Sequence, residues 1–510
     1  MIAISAKAAV GRHRRAPCVL PIRPSAEEKC FYINRNVLYL AMSLVIGSVF
    51  TIACQIGFEI FDSPWLFPVT ILAVAHAVIS LTVNFSGRNF NYSAHRTRVD
   101  AWRPAHYPDV DIYLPICGEA AAVLRNTWIG IFELIQEYPG WARVYVLDDG
   151  ASREAEKLAA AFGFTYAVRS DRGRMRKAGN LRFAFANTSG EFIAIFDADF
   201  VPRADFFAET LPYFDDPSTG ILQTPQFFRT DPRQTWVERA ANAVQEIFYR
   251  NIQVARDRFD TTVCCGTCAI YRRAALAPDG GFAEVPYAED EHTGLNVRQR
   301  GFTVRYIPVV LATGMSPPTI DGFVRQQYRW CSGTFSTLRR WPRRGVRSRL
   351  TYASGFFYYL YSSAMLFAGP AVPLVLLIFF PENIRLQNYL IFAPVMLSGM
   401  LLYPAWHRSD FGPSAWPLAI ARSWSHFLAL CDCIFGKTMQ WEPTGTAVSP
   451  VRRLWVGMII WNGGSALAWL GLASWRIAES HSVQFTILCA LGVLYAAIVL
   501  RVLLPGRNAS

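Results

Sequence analysis

Apolar runs long enough to cross a bilayer bracket one long polar stretch, and no other feature limits what this chain can fold into as strongly. The runs are Val37 to Gly57, Trp65 to Phe85, about Gly355 to Phe380, Tyr389 to Trp406, Trp455 to Trp475 and Phe485 to Leu504. Each comes near the ~20 apolar residues that a spanning helix requires, so about six transmembrane helices are expected. Composition agrees: of 510 residues, 52% are hydrophobic and only 17% charged, too apolar for an ordinary soluble enzyme.

The flanks of the spans set their orientation. Lys7, Arg12, Arg14, Arg15, Arg23, Lys29 and Arg35 precede the first run, whereas Phe58 to Pro64 after it carries no Lys or Arg. Arg408, Arg422, Lys437, Arg452 and Arg453 crowd a later loop, and the short loops Pro381 to Gln387 and Ile477 to Val483 are poor in basic residues. Positive charge stays on the cytosolic side, so both termini and the long polar stretch are expected there. The first run starts far from Met1 and lacks a small-residue cleavage site, which predicts a retained anchor.

The net charge of +12 lies beside the spans and comes with no zinc-finger or aromatic RNA-binding signature, so no nucleic-acid partner is expected. The eleven cysteines are scattered, several of them inside apolar runs, a pattern of reduced thiols. Cys265 and Cys268 have redox or zinc spacing but lack a second pair.

The expected division is a basic N-terminus (1–36), two spans (37–85), an α/β domain (88–349), interfacial and transmembrane helices (350–406), a cytosolic interfacial stretch and loop (407–453), and two spans with a short tail (454–510). Within the α/β domain, Val110 to Ile116, Val144 to Leu147, Phe164 to Val168 and Phe192 to Phe196 read as strands. Glu119 to Gln136 and Arg153 to Phe162 have helical spacing. This alternation predicts a largely parallel sheet, which takes its ligands beyond the carboxyl ends of its strands.

Four clusters fall where such a ligand would sit. Asp148-Asp149-Gly150 follows a strand and reads either as a ligand-binding acid pair or as a capped turn. Asp197-Ala198-Asp199 follows another strand; two carboxylates suit Mg²⁺ with phosphate oxygens, or a plain surface turn. Glu289-Asp290 precedes a helix, where Asp290 serves either the helix dipole or as a general base. Gln326, Arg329 and Trp330 share one helical face, offering an amide, a guanidinium fork and a stacking ring, or else a juxtamembrane anchor. Lys177 lies between the first two clusters, as a binding cation or as part of a basic run with Arg172, Arg174 and Arg176.

The order and spacing of these clusters resemble the processive family 2 glycosyltransferases, in particular bacterial cellulose synthase catalytic subunits. Lys177-Ala178-Gly179-Asn180-Leu181, Gln223-Thr224-Pro225-Gln226 and Cys265-Gly266-Thr267-Cys268-Ala269 lie between them in family order. The resemblance implies a GT-A-like domain inserted in a helical membrane domain of a bacterial-type inner membrane. It implies a UDP-sugar donor contacted by Asp148, Asp149 and Lys177, and a diphosphate and metal (Mg²⁺, or Mn²⁺) at Asp197 and Asp199. It further implies that Asp290 is the base, and that Gln326, Arg329 and Trp330 line the acceptor and diphosphate site. Its partners would be a growing glycan, the bilayer and accessory export subunits.

Two departures bear on the product: Ala288 stands where the family usually has Thr, and Gln440-Trp441-Glu442-Pro443-Thr444-Gly445 replaces the usual gating-loop motif. UDP-glucose polymerised to a β-1,4-glucan is the favoured reaction. A non-processive transferase acting on a lipid carrier, or a non-enzymatic membrane transporter or synthase partner, remains the alternative. A chain ending shortly after Leu504 is expected to be a member without the PilZ domain. Tyr358, Tyr403, Trp455, Trp461 and Trp469 read either as plates for translocating sugar rings or as interface aromatics.

Overall fold

The computed structural model describes residues 19–46, 52, 55–56, 64–87, 89–340, 345–385, 397–409, 412–437, 439, 451–480 and 482–504. Parts of the expected spans Val37 to Gly57 and Tyr389 to Trp406, and the whole of Gln440 to Gly445, lie outside the described residues.

The polar stretch folds around a seven-stranded sheet of order β3-β2-β1-β4-β7-β6-β8. The strands are β1 (Val110–Ile116), β2 (Ala142–Asp148), β3 (Thr165–Ala167), β4 (Phe192–Ile195), β6 (Thr219–Gln223), β7 (Ala269–Arg272) and β8 (Thr303–Tyr306); β5 (Val201–Pro202) pairs separately with β9 (Ala312–Thr313). β1 pairs in parallel with β2 and β4, β2 with β3, and β6 with β8. Only β7 runs antiparallel to its neighbours in this sheet. The sheet is therefore mostly parallel, a GT-A-like α/β architecture.

Side chains alternate between two cores because successive residues of a strand face opposite sides. Ile112, Leu114, Val146 and Ala194 pack on Trp128, Ile131 and Leu134 of the Ala121–Glu137 helix. Tyr113, Leu147, Ile193 and Ile195 pack on the other side, against Leu181 and Val297. Burial on both faces explains why β1 and β4 read as continuous apolar runs.

Five helices among the described residues are long and apolar enough to cross a membrane: Pro64–Asn84, Val346–Phe379, Ala415–Phe435, Arg452–Ser480 and Val483–Leu503. Ile71, Ile378, Ile460, Leu467 and Leu500 stand exposed on them, as lipid-facing positions do. Ala415–Phe435, expected as an interfacial stretch, is among them by length and composition. Polar side chains of this helix turn inward: Ser425 Oγ donates to Val324 O at 2.7 Å, and Asp432 accepts from Tyr328 Oη at 2.9 Å. The helix thus packs along the Ile320–Ser336 helix, which carries Gln326, Arg329 and Trp330.

Candidate active site

The first two clusters converge because β2 and β4 flank β1 in parallel and end on the same side of the sheet, and the Glu289–Gln299 and Ile320–Ser336 helices carry the other two. They surround one cavity of about 1110 Å³. Asp149, Lys177, Asp197, Asp199, Asp290, Gln326, Arg329 and Trp330 all line it.

Asp148 does not. Its carboxylate accepts from the backbone N–H of Gly150 (2.7 Å) and Ser152 (2.8 Å) and from Tyr166 Oη (2.7 Å). It holds the turn that presents Asp149. Asp149 in turn accepts both arms of the Arg169 guanidinium fork, each at 2.7 Å. That planar bidentate pair fixes the carboxylate's orientation.

Lys177 Nζ donates to Asp197 Oδ1 at 2.5 Å and to Gly266 O at 3.0 Å. Withdrawal from water works against the ammonium, but the charges of Asp197, Glu289 and Asp290 outweigh it and hold the Lys177 pKa above its ordinary value. Burial pushes the Asp199 carboxyl up to about 7, with Asp197 and Glu119 adding repulsion that Lys177 only partly offsets. Burial likewise lifts Glu119, whose Oε2 accepts from Cys117 N at 2.6 Å.

Asp290 lies in the first turn of the Glu289–Gln299 helix, which includes the acid pair expected to precede it. Withdrawal from water, then Glu289 and Glu291, push its pKa well above the carboxylate range; Lys177 and the Glu291 N–H, which donates to Oδ1 at 2.9 Å, act against them. Gly266, at φ +72°, backs the Asp290 side chain so closely that a Cβ there would stand 2.9 Å from Oδ2. Burial lowers the Arg329 pKa despite the attraction of Asp197 and Glu289.

The two remaining motifs brace this cluster. Thr267 Oγ1 accepts from Asp197 N at 2.9 Å, and Gln223 Nε2 donates to Thr267 O at 2.8 Å. Cys265 N donates back to Gln223 Oε1 at 2.8 Å. Cys264, Cys265 and Cys268 are free thiols, and close packing by small side chains accounts for the segment. Ala288, at φ +53°, faces Gly333, where an added Cβ would come within 2.6 Å of the alanine's own.

No group of three or more His, Cys, Asp or Glu side chains among the described residues forms a metal cage. The acids nevertheless fit a divalent ion. Asp197 and Asp199 repel each other across a wall where Lys177 engages only one Asp197 oxygen, and a hard cation held by one or two carboxylates takes its other ligands from phosphate and water.

Beyond Trp330 the cavity continues between the membrane-capable helices, past His76, Ser80, Tyr358, Tyr403 and Arg422. Trp455, Trp461 and Trp469 stay outside it. Their indole N–H groups donate to Asp321 Oδ1, Leu366 O and Leu488 O, which makes them packing residues.

With this geometry in view, comparison with known proteins is specific. Residues 192–406 match the family model described as glycosyl transferase family group 2. The chain is 32% identical over 311 residues to a UDP-forming cellulose synthase catalytic subunit of Pseudomonas fluorescens (strain SBW25), covering 59% of this chain and 42% of that protein. That similarity places cellulose synthase catalytic subunits among the proteins this chain resembles. The chain is also 33% identical over 292 residues to the cellulose synthase 1 catalytic subunit of Komagataeibacter xylinus, covering 55% of this chain and 38% of the relative. It thus spans about two fifths of the length of these relatives. Among solved structures, a mannosyltransferase of Pyrobaculum calidifontis in complex with GDP-Man and Mn²⁺ aligns with 72% of this chain and all of its own at 18% identity, with a TM-score of 0.49.

Residue patterns alone pass over Glu119 and Arg169. Glu119 could have been found by its place just beyond the carboxyl end of β1, where the other acids also sit. Arg169 carries no local signal, because its partner Asp149 is twenty residues away.

Proposed function

We propose that this chain is a membrane-embedded, inverting, processive β-glycosyltransferase that polymerises a UDP-sugar, with UDP-glucose the favoured donor. The observation that carries this reading is the single cavity joining the Asp149, Lys177, Asp197 and Asp199 wall, through Asp290 and Trp330, to the membrane-capable helices. A donor and a polymer leaving through the membrane need that continuity; a transporter has no use for Asp290 at its midpoint.

In this reading Asp149 and Lys177 hold the UDP moiety, and Gln326, Arg329 and Trp330 the diphosphate and acceptor. The raised pKa of Asp290 favours taking a proton from an acceptor hydroxyl as that oxygen attacks the anomeric carbon. The C–O bond to UDP breaks as the new β-linkage forms, and the developing charge on UDP falls toward Arg329 and Lys177. A divalent ion at Asp197 and Asp199 would supply further charge neutralisation to the diphosphate. The domain then faces the cytosol of a bacterial-type inner membrane, and accessory export subunits fit the same scheme.

The test is product analysis. Purified protein in lipid vesicles is supplied with Mg²⁺ and radiolabelled UDP-glucose, and any polymer is digested with linkage-specific glucanases. A cellulase-sensitive polymer is expected. A lipid-linked monosaccharide as the sole product across a panel of UDP-sugars would replace processive synthesis with transfer to a carrier.

A further inference from the structure

A second cavity, of about 660 Å³, shares no residue with the first and is lined by Thr230, Pro232, Arg239, Arg408 and Ser409. Arg239 lies in the first turn of the Trp236–Ile247 helix, and Arg408 and Ser409 follow the Tyr403–Trp406 helix, where the fourth expected span ends. Glu246 joins the two sides. Its carboxylate accepts from the backbone N–H of Arg408 and of Ser409, each at 2.8 Å, and from Ser409 Oγ at 2.6 Å.

The carboxylates of the adjoining segments are already matched. Glu246 pairs with Arg250 at 2.8 Å, Asp231 with Arg233 at 2.8 Å, and Glu28 accepts from Arg229 Nε at 2.6 Å. Glu238 closes a capping box with Thr235. Two guanidinium groups are left over, for among the described residues neither Arg239 nor Arg408 has a carboxylate partner. Arg239 Nη1 donates to the carbonyls of Gln234 (2.6 Å) and Pro232 (3.1 Å), and the Arg408 guanidinium rests over the Phe31 ring, 5.8 Å from its centroid. Thr230 Oγ1 is buried without a hydrogen-bond partner. Two cations without a counter-charge and an unmatched hydroxyl around one cavity suit the oxygens of a phosphate group, which takes forked N–H donors.

The position of the cavity bears on the source of that phosphate. Trp236 and Arg239, at i and i+3, share a helical face. Arg501, in the last turn of the Thr486–Leu503 helix, holds its guanidinium 5.3 Å from the Trp236 ring centroid. The cavity thus lies level with the ends of the membrane-capable helices. Beside it Leu500 is 54% exposed and Leu504 67%, an apolar surface that acyl chains can cover and a soluble phosphate compound cannot use.

We propose that Arg239 and Arg408, with Thr230, form a binding site for a phosphate group, supplied by an anionic phospholipid whose acyl chains lie along the Thr486–Leu503 helix. The headgroup bridges the Trp236–Ile247 helix of the α/β domain and the end of the fourth expected span, so it ties the domain to the membrane helices. This does not depend on the glycosyltransferase reading above.

The test is native mass spectrometry of the full-length protein in detergent micelles with added phosphatidylglycerol, phosphatidylcholine or inorganic phosphate, paired with thermal unfolding. Wild type is expected to retain phosphatidylglycerol in preference to phosphatidylcholine, and Arg239→Gln with Arg408→Gln to weaken that binding about tenfold, as loss of charge-assisted hydrogen bonds does. Arg408→Gln alone is expected to weaken it about threefold, and it stands as the test should the double variant not fold. Arg349→Gln, exposed at the start of the Val346–Phe379 helix and outside the cavity, is expected to change nothing; an equal loss there would mean diffuse attraction to basic residues and overturn the site. Phosphatidylglycerol binding that is unchanged in the folded variants, with no effect of inorganic phosphate, would overturn it as well. Inorganic phosphate that raises the Tm of wild type but not of the variants, without a preference for phosphatidylglycerol, would overturn the lipid and give the site to a soluble phosphate compound.

Discussion

Glu209 and Asp290 are both carboxylates drawn out of water, and they titrate in opposite directions. Glu209 lies outside the cavity, where Lys29 Nζ donates to it at 2.5 Å, Arg96 Nη1 donates at 2.9 Å and His95 Nε2 stands 2.7 Å away. Burial raises its pKa, but the hydrogen bonds from His95 and Lys29 and the charge of Lys29 outweigh that and leave it below the ordinary value. Asp290 receives one backbone N–H and sits between two other acids, so burial prevails. A carboxylate that holds the fold together is saturated by cations. Asp290 stands among like charges instead, and in the proposed function its unmet demand is left for a substrate proton.

The contrast is broken most directly at Asp290. Asp290→Asn is expected to cut glycosyl transfer by about 10²–10⁴-fold, as loss of a general base does, while UDP binding by calorimetry stays near that of wild type. Normal turnover by the folded variant would put Asp290 with the structural acids.

Arg329→Gln comes next, with an expected loss of about 10²–10³-fold in kcat, as for removal of one donor to a developing charge. Asp199→Asn should raise the Mg²⁺ concentration needed for half-maximal UDP release. An unchanged metal titration would mean that Asp197 and Asp199 repel each other for some other end.

Glu209→Gln should act on stability alone. It leaves Lys29 and Arg96 facing a neutral group, at a cost of about 3 kcal/mol in thermal or denaturant unfolding, with kcat/KM of the surviving folded enzyme unchanged. A selective loss of activity would erase the distinction between the two regions.

The smallest effect is the pH dependence of stability, and its signs are opposite. Glu209 has a folded pKa below its ordinary 4.5, so its contribution is fully present above that value and is lost as pH falls through the lower folded one. Asp290 has a folded pKa raised above its ordinary 3.8, so ionising it costs stability progressively as pH rises from there through the folded value. Asp290→Asn should therefore raise Tm by about 2–4 °C in alkaline buffer and not at acid pH. The deficit of Glu209→Gln should shrink on acidification.

The parts of this protein that could be read from residues are those set by local periodicity. The run Val110 to Ile116 and the helix Arg153 to Phe162 appear with the bounds their spacing implies, because alternate burial and helical repeat act within a few neighbours. Four of the five membrane-capable helices follow from hydropathy in the same way. Ala415–Phe435 reads as interfacial from its residues, because Ser425 looks water-facing until Val324 O is found opposite it.

The sequence by itself determined which residues could do the chemistry, since the acids beyond the strand ends, Lys177 and the Gln326-Arg329-Trp330 face are all visible as patterns. The tertiary structure alone decided which of them face the cavity. Asp148 and Asp149 are adjacent and chemically identical, yet Tyr166 draws one into the turn and Arg169 aims the other outward. Partners of this kind come from distant segments, and a side chain's direction is set by the hydrogen bonds that reach it across the fold, which no local pattern encodes.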